Sequence, residues 1–128
     1  MWRCDTCGTD GNEDGQRCEV CFFVPVPAVL ILTAASGREA QLRITCRLNR
    51  SWAKGIAGDE ARFWDAEHQM TIERRATGWF VVPNPTAPND TLLDGERVIE
   101  DSPLGAGQVL AVGREAKGVA KSPLVVSF

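Results

Sequence analysis

The chain has few of the residues from which enzymes build catalytic sites. It contains one histidine, His68, and no tyrosine in 128 residues. A nucleophile activated by an imidazole base would therefore depend on that single ring. Its neighbours Glu67 and Gln69 are hydrophilic, which is typical of a histidine on the solvated face of a strand. We therefore expect a protein that is not an enzyme.

Long hydrophobic runs and an excess of positive charge are also missing. The longest apolar stretch, residues 22–32, is too short to span a bilayer and contains Pro25 and Pro27. The formal net charge is −3, and residues 28–128 carry equal numbers of basic and acidic side chains. This balance argues against a nucleic-acid partner. No signal peptide precedes the first cysteine, so we expect a cytoplasmic protein that does not bind a membrane.

Cysteine, in contrast, is concentrated near the start of the chain. Four of the five cysteines form two CxxC pairs, Cys4/Cys7 and Cys18/Cys21, which ten polar or glycine residues separate. Two such pairs can direct four soft thiolates at one tetrahedral Zn²⁺ ion. A segment without an apolar core needs a metal to fold. We predict a structural zinc ribbon over residues 1–23, with a disulfide pair or a redox CxxC as the alternatives.

The role of this ribbon beyond structure is constrained by its charge. The run Trp2-Arg3-Cys4 and the ten-residue gap resemble the Ran-binding-protein type of zinc finger, whose members bind single-stranded RNA or ubiquitin. Residues 1–23 carry a net charge of −3 before the thiolates are counted, and this sign repels a phosphate backbone. Gly8-Thr9 stands where the ubiquitin-binding fingers carry Thr-Phe. We therefore expect a structural or protein-docking role.

The remainder of the chain has the pattern of an all-β domain. Residues 24–27, Val-Pro-Val-Pro, predict a stiff linker, with Phe22 and Phe23 packing between the ribbon and the body. Short alternating segments separated by glycine and proline turns then predict an antiparallel β-sandwich over residues 28–128. In one of these segments, residues 40–45, we expect Leu42 and Ile44 to face the core. Only residues 53–66 could hold a short helix.

Several motifs in this body resemble those of the forkhead-associated (FHA) family. Residues 89–95, Asn-Asp-Thr-Leu-Leu-Asp-Gly, are similar to its Asn-Gly-Thr-x-x-Asn-Gly turn. Residues 103–110 are similar to its Pro-Leu-x-x-Gly-Asp-x-Ile run, and Asn49-Arg50 stands where the family has Gly-Arg. The resemblance covers about residues 28–128 and implies an FHA-like antiparallel β-sandwich.

The resemblance also implies a function, because FHA domains bind phosphothreonine peptides through loops at one end. Carried over by position, Arg50 would hold the phosphate and Asn89 the peptide main chain. Residues 79–85, Trp-Phe-Val-Val-Pro-Asn-Pro, further resemble FHA-like proteins of bacterial tellurite-resistance systems, which occur beside Ser/Thr kinases and phosphatases. The expected protein is a non-catalytic phospho-signalling adaptor whose partner is a phosphothreonine protein, a kinase or a phosphatase.

The loop before residue 70 departs from the family pattern. If Met70 and Ile72 face the core, residues 66–69 stand where the family has Ser-Arg-x-His. Ala66 then replaces the serine hydroxyl, Glu67 the arginine and Gln69 the supporting histidine. A carboxylate near the phosphate would repel it.

Two further observations leave the function open. Shifting the frame by one residue makes His68 the family histidine, but it turns Thr71 toward the core, which strand alternation disfavours. In the other loop Pro88 replaces a hydroxyl residue. The alternative is therefore a degenerate FHA scaffold that docks a protein partner independently of phosphate, in which Arg50 and Asn89 brace loops.

Overall fold

A computed structural model of the chain describes residues 1–5, 7–11, 13, 17–21 and 26–128. Within these residues every pair of neighbouring strands is antiparallel, and the strands form two sheets. The predicted all-β class is confirmed. The strands are β1 Leu30–Ala34, β2 Glu39–Leu42, β3 Cys46–Leu48, β4 Met70–Arg75, β5 Gly78–Pro83, β6 Asp90–Leu93, β7 Glu96–Arg97, β8 Ser102–Pro103, β9 Val109–Arg114 and β10 Val119–Ser127.

The two sheets differ in size and share one core. The larger has the strand order β2-β1-β10-β9-β6-β7, and the smaller has the order β3-β4-β5-β8. Strand alternation sets which side chains enter the core: Leu124 and Val126 of β10 are buried, whereas Val125 between them is 44% exposed. Met70 and Ile72 of the smaller sheet join the same buried cluster. Burial of each such side chain stabilises the fold by about 1.5–3 kcal/mol.

Two glycine-dependent features hold the larger sheet in register. The β6–β7 hairpin turns at Asp94 and Gly95, whose φ values of 52° and 83° fit a tight two-residue turn. The Asp94 carboxylate also accepts a hydrogen bond from the N–H of Val109 at 2.9 Å. At Gly113 a Cβ would lie 1.9 Å from the carbonyl oxygen of Val119, so β9 and β10 approach closely only because no side chain is present there.

A single α-helix among the described residues lies in the connection from β3 to β4. Helix α1, Arg50–Ala57, begins where Asn49 caps it: the Asn49 Oδ1 accepts a hydrogen bond from the N–H of Trp52 at 3.0 Å. A 3₁₀ helix, Gly58–Phe63, follows directly. The buried face of α1 carries Ala53 and Ile56, and residues 49–69 thereby fold as a compact connection.

Two predictions from the sequence were wrong: the start of the helix and the end of strand β2. The helix begins at Arg50 rather than within residues 53–66, because Asn49 supplies an N-cap that the glycine count does not reveal. Strand β2 ends at Leu42, and Ile44 is 71% exposed instead of facing the core. The expected packing of Phe22 and Phe23, and the first half of the linker 24–27, lie outside the described residues.

Candidate metal centre and loop end

The four cysteines of the two CxxC pairs converge on one point. Their sulfur atoms all lie within 4.8 Å of one another. The Sγ atoms of Cys4 and Cys21 are 3.5 Å apart, and those of Cys7 and Cys18 are 3.6 Å apart. A disulfide needs about 2.05 Å between sulfurs, and all four cysteines are free. The predicted ligands therefore form a metal-binding arrangement, and the disulfide alternative is wrong for this structure.

These distances suit a tetrahedral ion. Sulfurs about 2.3 Å from a central zinc would lie about 3.8 Å from each other, close to the separations observed within the two cross-pairs. The Cys4 and Cys18 side chains are fully buried. Four thiolates of this kind are the donor set that soft and borderline metals select.

Local hydrogen bonds prepare the first CxxC turn to hold thiolates. The N–H of Gly8 donates to the carbonyl oxygen of Cys4 at 2.7 Å, and Gly8 adopts a positive φ of 77°, which closes the turn. The Thr9 Oγ1 lies 3.0 Å from the Cys7 sulfur. This contact with Thr9 lowers the pKa of the Cys7 thiol and so favours its thiolate.

The second pair is prepared in the same way. A backbone hydrogen bond from Cys21, followed in importance by one from Val20, lowers the pKa of Cys18 to about 6, against the opposing effect of burial. A thiol with this pKa is mostly deprotonated at neutral pH and is ready to bind a cation. Both halves of the cluster therefore favour the charged form that a metal ligand needs.

The second group of candidate residues lies at the loop end, which we define as residues 49–69 and the β5–β6 loop, residues 84–89. Arg50 is half-buried there and is the first residue of α1. Its backbone N–H donates to the oxygen of Asp65 at 2.9 Å, and its Nε donates to the oxygen of Trp64 at 3.1 Å. The two terminal nitrogens of the guanidinium form no hydrogen bond with the described residues.

Asn89 reaches the same segment from the opposite loop. Its Nδ2 donates to the oxygen of Phe63 at 2.7 Å, and its Oδ1 accepts a hydrogen bond from Arg114 Nε at 3.1 Å. Both ends of the amide are therefore bonded within the chain. The structure brings Arg50 and Asn89 together on one stretch of backbone, and it uses the Asn89 side chain for bracing.

Gln69 is a further bracing residue, which the sequence indicated only as the replacement of a histidine. It is fully buried, its Oε1 accepts from the N–H of Asp65 at 2.9 Å, and its Nε2 donates to the oxygen of Asn89 and to Thr91 Oγ1, both at 3.1 Å. Met70 and Ile72 are fully buried, so the core-facing residues of this strand are the predicted ones.

An internal carboxylate occupies the turn before β4. The Asp65 Oδ2 accepts hydrogen bonds from the backbone N–H groups of Glu67 and His68, each at 2.9 Å. The bond from His68, then that from Glu67, and more weakly the charge of Arg50, lower the pKa of the Asp65 carboxyl. These two N–H groups are thereby satisfied without an external anion. Ala66, Glu67 and Pro88 are exposed.

A positively charged hollow opens beside this turn. It has a volume of about 480 Å³ and is lined by Arg50, Lys54, Arg62 and Asp59, together with Gly58 and Ala61. Among the described residues none of the three cations forms an ion pair, since every carboxylate oxygen lies beyond 4.0 Å. Three cations against one lining acid, Asp59, give the hollow an excess of positive charge, which attracts anions.

His68 takes a local role. Its Nε2 lies 2.9 Å from the Thr71 Oγ1, and its pKa is lowered, mainly by burial and secondly by the charge of Arg47. The neutral ring therefore predominates at pH 7.

The described helices are all too short or too polar to cross a membrane. Comparison with known proteins adds no relative from which a role could be taken. No family model, no curated protein and no solved structure matches the chain.

Proposed function

We propose that this chain is a non-catalytic adaptor that binds a phosphothreonine-containing protein at the loop end of an FHA-like sandwich. The observation that carries the proposal is the state of Arg50. Its Nε is fixed to the oxygen of Trp64 while its terminal nitrogens have no partner among the described residues. An arginine held at one nitrogen presents a pre-oriented fork, which is the geometry that binds a phosphate dianion through paired hydrogen bonds.

The surroundings of Arg50 support an anionic ligand. Lys54 and Arg62 line the same hollow. Glu67, which the sequence placed as a repulsive neighbour, forms no ion pair with Arg50 and lies in an exposed turn. The positive charge that the family supplies beside the phosphate is thus available from α1 and the following 3₁₀ helix instead. The FHA resemblance and the likeness to tellurite-resistance phospho-signalling proteins agree with this role.

The N-terminal cluster serves structure in this proposal, with Zn²⁺ as its ion. The residues present fit the group: four sulfurs lie within 4.8 Å of one another, and Cys7 and Cys18 are already biased toward thiolate. Zinc bound by Cys4, Cys7, Cys18 and Cys21 would have no open position for substrate or water, so its contribution is to fold the ribbon. Cys46 is the one thiol outside this cluster, and because a reducing compartment keeps such a thiol reduced, the proposal places the protein in the cytoplasm.

The proposal is tested by titrating a phosphothreonine peptide library and its unphosphorylated counterparts against the purified protein. We expect phosphorylation to raise affinity, and we expect Arg50→Ala to reduce that gain by about 1.5–3 kcal/mol, because charged hydrogen bonds are lost. Arg50→Lys keeps the charge but not the fork and should restore only part of it. Arg43→Ala, which removes an exposed arginine outside the hollow, is the matched control and should change nothing.

A second candidate function is a scaffold that docks its partner without reading phosphate. The observation in its favour is that Asn89 and the N–H groups of Glu67 and His68 are already bonded inside the chain. These are groups that a peptide or phosphate would otherwise use. If no peptide gains affinity on phosphorylation and partner binding survives Arg50→Ala, the scaffold is the correct function.

A further inference from the structure

An aromatic ring at the loop end holds two cations from distant parts of the chain. Phe63 is half-buried at the end of the 3₁₀ helix. The Arg62 Cζ lies 4.8 Å from the centre of its ring, and the Lys121 Nζ lies 5.6 Å from the same point. The two charges are therefore no further apart than the sum of these distances. We call Arg62 and Lys121 the cation pair.

The cation pair is not neutralised by neighbouring acids. Neither member forms an ion pair with a described residue. Two carboxylates close to the pair in sequence accept hydrogen bonds from the main chain: Glu60 accepts from the N–H of Ser122, and Asp65 accepts from Glu67 and His68. These carboxylates keep their charge, but none lies within 4.0 Å of either cation, so no direct ion pair with them competes with an incoming anion.

The pair is continuous with the Arg50 hollow and with β9. Arg62 lines that hollow beside Arg50 and Lys54. On the other side the Phe63 carbonyl accepts the Asn89 amide, which in turn accepts from Arg114. The cationic side chains therefore cover a larger part of the loop end than one phosphate group could contact. A surface of this kind recognises an extended anionic segment through charge complementarity.

We propose that the cation pair is a second anion position, so that the preferred partner segment carries another acidic side chain, a carboxylate or a phosphoryl group, close to its phosphothreonine. This inference rests on the proposed function, since it places the first anion at Arg50. The Phe63 ring holds both cations in place before binding, which reduces the side-chain entropy lost when the acidic group docks.

The test uses four versions of one peptide: phosphorylated or unphosphorylated threonine, each flanked by glutamates or by glutamines. Affinities are measured at low and at physiological salt. We expect the glutamate flanks to tighten binding to the wild-type protein by about five- to tenfold at low salt, as two exposed charge contacts would. The double substitution Arg62→Gln with Lys121→Gln should remove this preference, while phosphorylation still raises affinity. Arg43→Gln with Lys117→Gln, which removes two exposed cations outside the pair, should leave the preference intact.

A charge-reversal variant distinguishes loss of the cation pair from loss of the fold, because an unfolded protein would show no preference of either sign. Arg62→Glu with Lys121→Glu reverses the sign of both charges, so a fifth peptide with lysine flanks should then bind more tightly than the peptide with glutamate flanks. A phosphate-dependent gain without any flank preference, or a preference that survives loss of the pair, would overturn this inference and leave the proposed function standing. A flank preference that needs the pair, without any gain from phosphorylation, would overturn the proposed function, and it would support the cation pair as an anion position that acts without phosphothreonine. Failure of all four peptides, or tighter binding of a single-stranded oligonucleotide of equal charge, would overturn both.

Discussion

Arg50 and Asn89 donate hydrogen bonds to the carbonyl oxygens of two consecutive residues. The Arg50 Nε lies 3.1 Å from the oxygen of Trp64, and the Asn89 Nδ2 lies 2.7 Å from the oxygen of Phe63. Two loops that are far apart in the sequence are thereby fastened to one short segment. Arg62 and Asp65 flank this segment in the sequence. The two hydrogen bonds therefore help to fix the positions of one positive and one negative side chain at the loop end.

The first prediction follows from this bracing. Asn89→Ala removes two hydrogen bonds and leaves the Phe63 carbonyl without its partner, so we expect the free energy of unfolding to fall by about 1–3 kcal/mol. Urea denaturation followed by tryptophan fluorescence measures this change. Gln41→Ala on the exposed edge strand β2 is the control and should shift stability by less than about 0.5 kcal/mol. If Asn89→Ala changed the free energy of unfolding as little as the control does, the Asn89 amide would not brace the loops.

A second prediction concerns the close approach of β9 and β10. Gly113→Ala places a methyl group against the carbonyl of Val119, where a Cβ would lie 1.9 Å away, so the strands must separate. We expect a loss of several kcal/mol in unfolding free energy or failure to fold. The matched substitution Gly55→Ala lies in α1 with open space around it and should stabilise the protein by about 0.5–1 kcal/mol. Thermal unfolding of both variants distinguishes a steric cost from a general intolerance of glycine replacement.

The third prediction is a pH dependence of the Asp65 turn. Two backbone N–H groups favour the ionised carboxylate and lower its pKa below the ordinary value of 3.8. The stabilisation is therefore fully present above that ordinary value, and it is lost as the pH falls through the lower folded-state pKa. Asp65→Asn should be less stable than the wild-type protein at pH 7, and the difference should shrink in strong acid.

Denaturation curves between pH 2 and pH 7, a range chosen to span ordinary carboxyl titration, test this expectation. Asp59→Asn is the control for charge, because Asp59 is exposed and its carboxylate accepts no hydrogen bond from the described residues. A stability difference for Asp65→Asn that does not change with pH would show that the carboxylate acts through shape and not through its charge.

The fourth prediction concerns the metal. Purified protein that has not met a chelator should contain one zinc ion per chain, and Cys18→Ser should lower this content sharply because one of four converging ligands is lost. Cys46→Ser should leave the content unchanged, since Cys46 lies in β3 and its sulfur contacts the oxygen of Ile44. Elemental analysis measures the ratio. A value near zero, or one that falls with Cys46→Ser, would contradict the assignment.

The sequence predicted the sandwich well because its signals were local. Alternation in β4 follows from neighbouring residues alone, and the structure buries Met70 and Ile72 as that pattern indicated. The paired spacing of the cysteines likewise led directly to their cluster. Ile44 does not follow this alternation because β2 ends at Leu42, whose partner Leu30 is the first residue of β1.

The loop end could be predicted only in part. The sequence marked Arg50 and Asn89 as partners in one site, but it did not reveal that the Asn89 amide is spent on the backbone of Phe63 and on Arg114. From the sequence, Gln69 was interpreted as the replacement of a supporting histidine. In the structure its side-chain amide forms hydrogen bonds with residues 65, 89 and 91. Such partners are main-chain atoms and distant side chains, which leave no pattern in the sequence around a single residue.

The central claim, that Arg50 receives a phosphoryl group, is tested most directly by nuclear magnetic resonance of the arginine Nε–H groups during titration with a phosphothreonine peptide. We predict that the Arg50 signal shifts with the phosphorylated peptide, that amides of residues 50–62 shift with it, and that the unphosphorylated peptide leaves both in place. Arg50→Ala should abolish the shifts around the hollow, while Arg43→Ala should preserve them. Identical shifts with both peptides, or none near Arg50, would contradict the account.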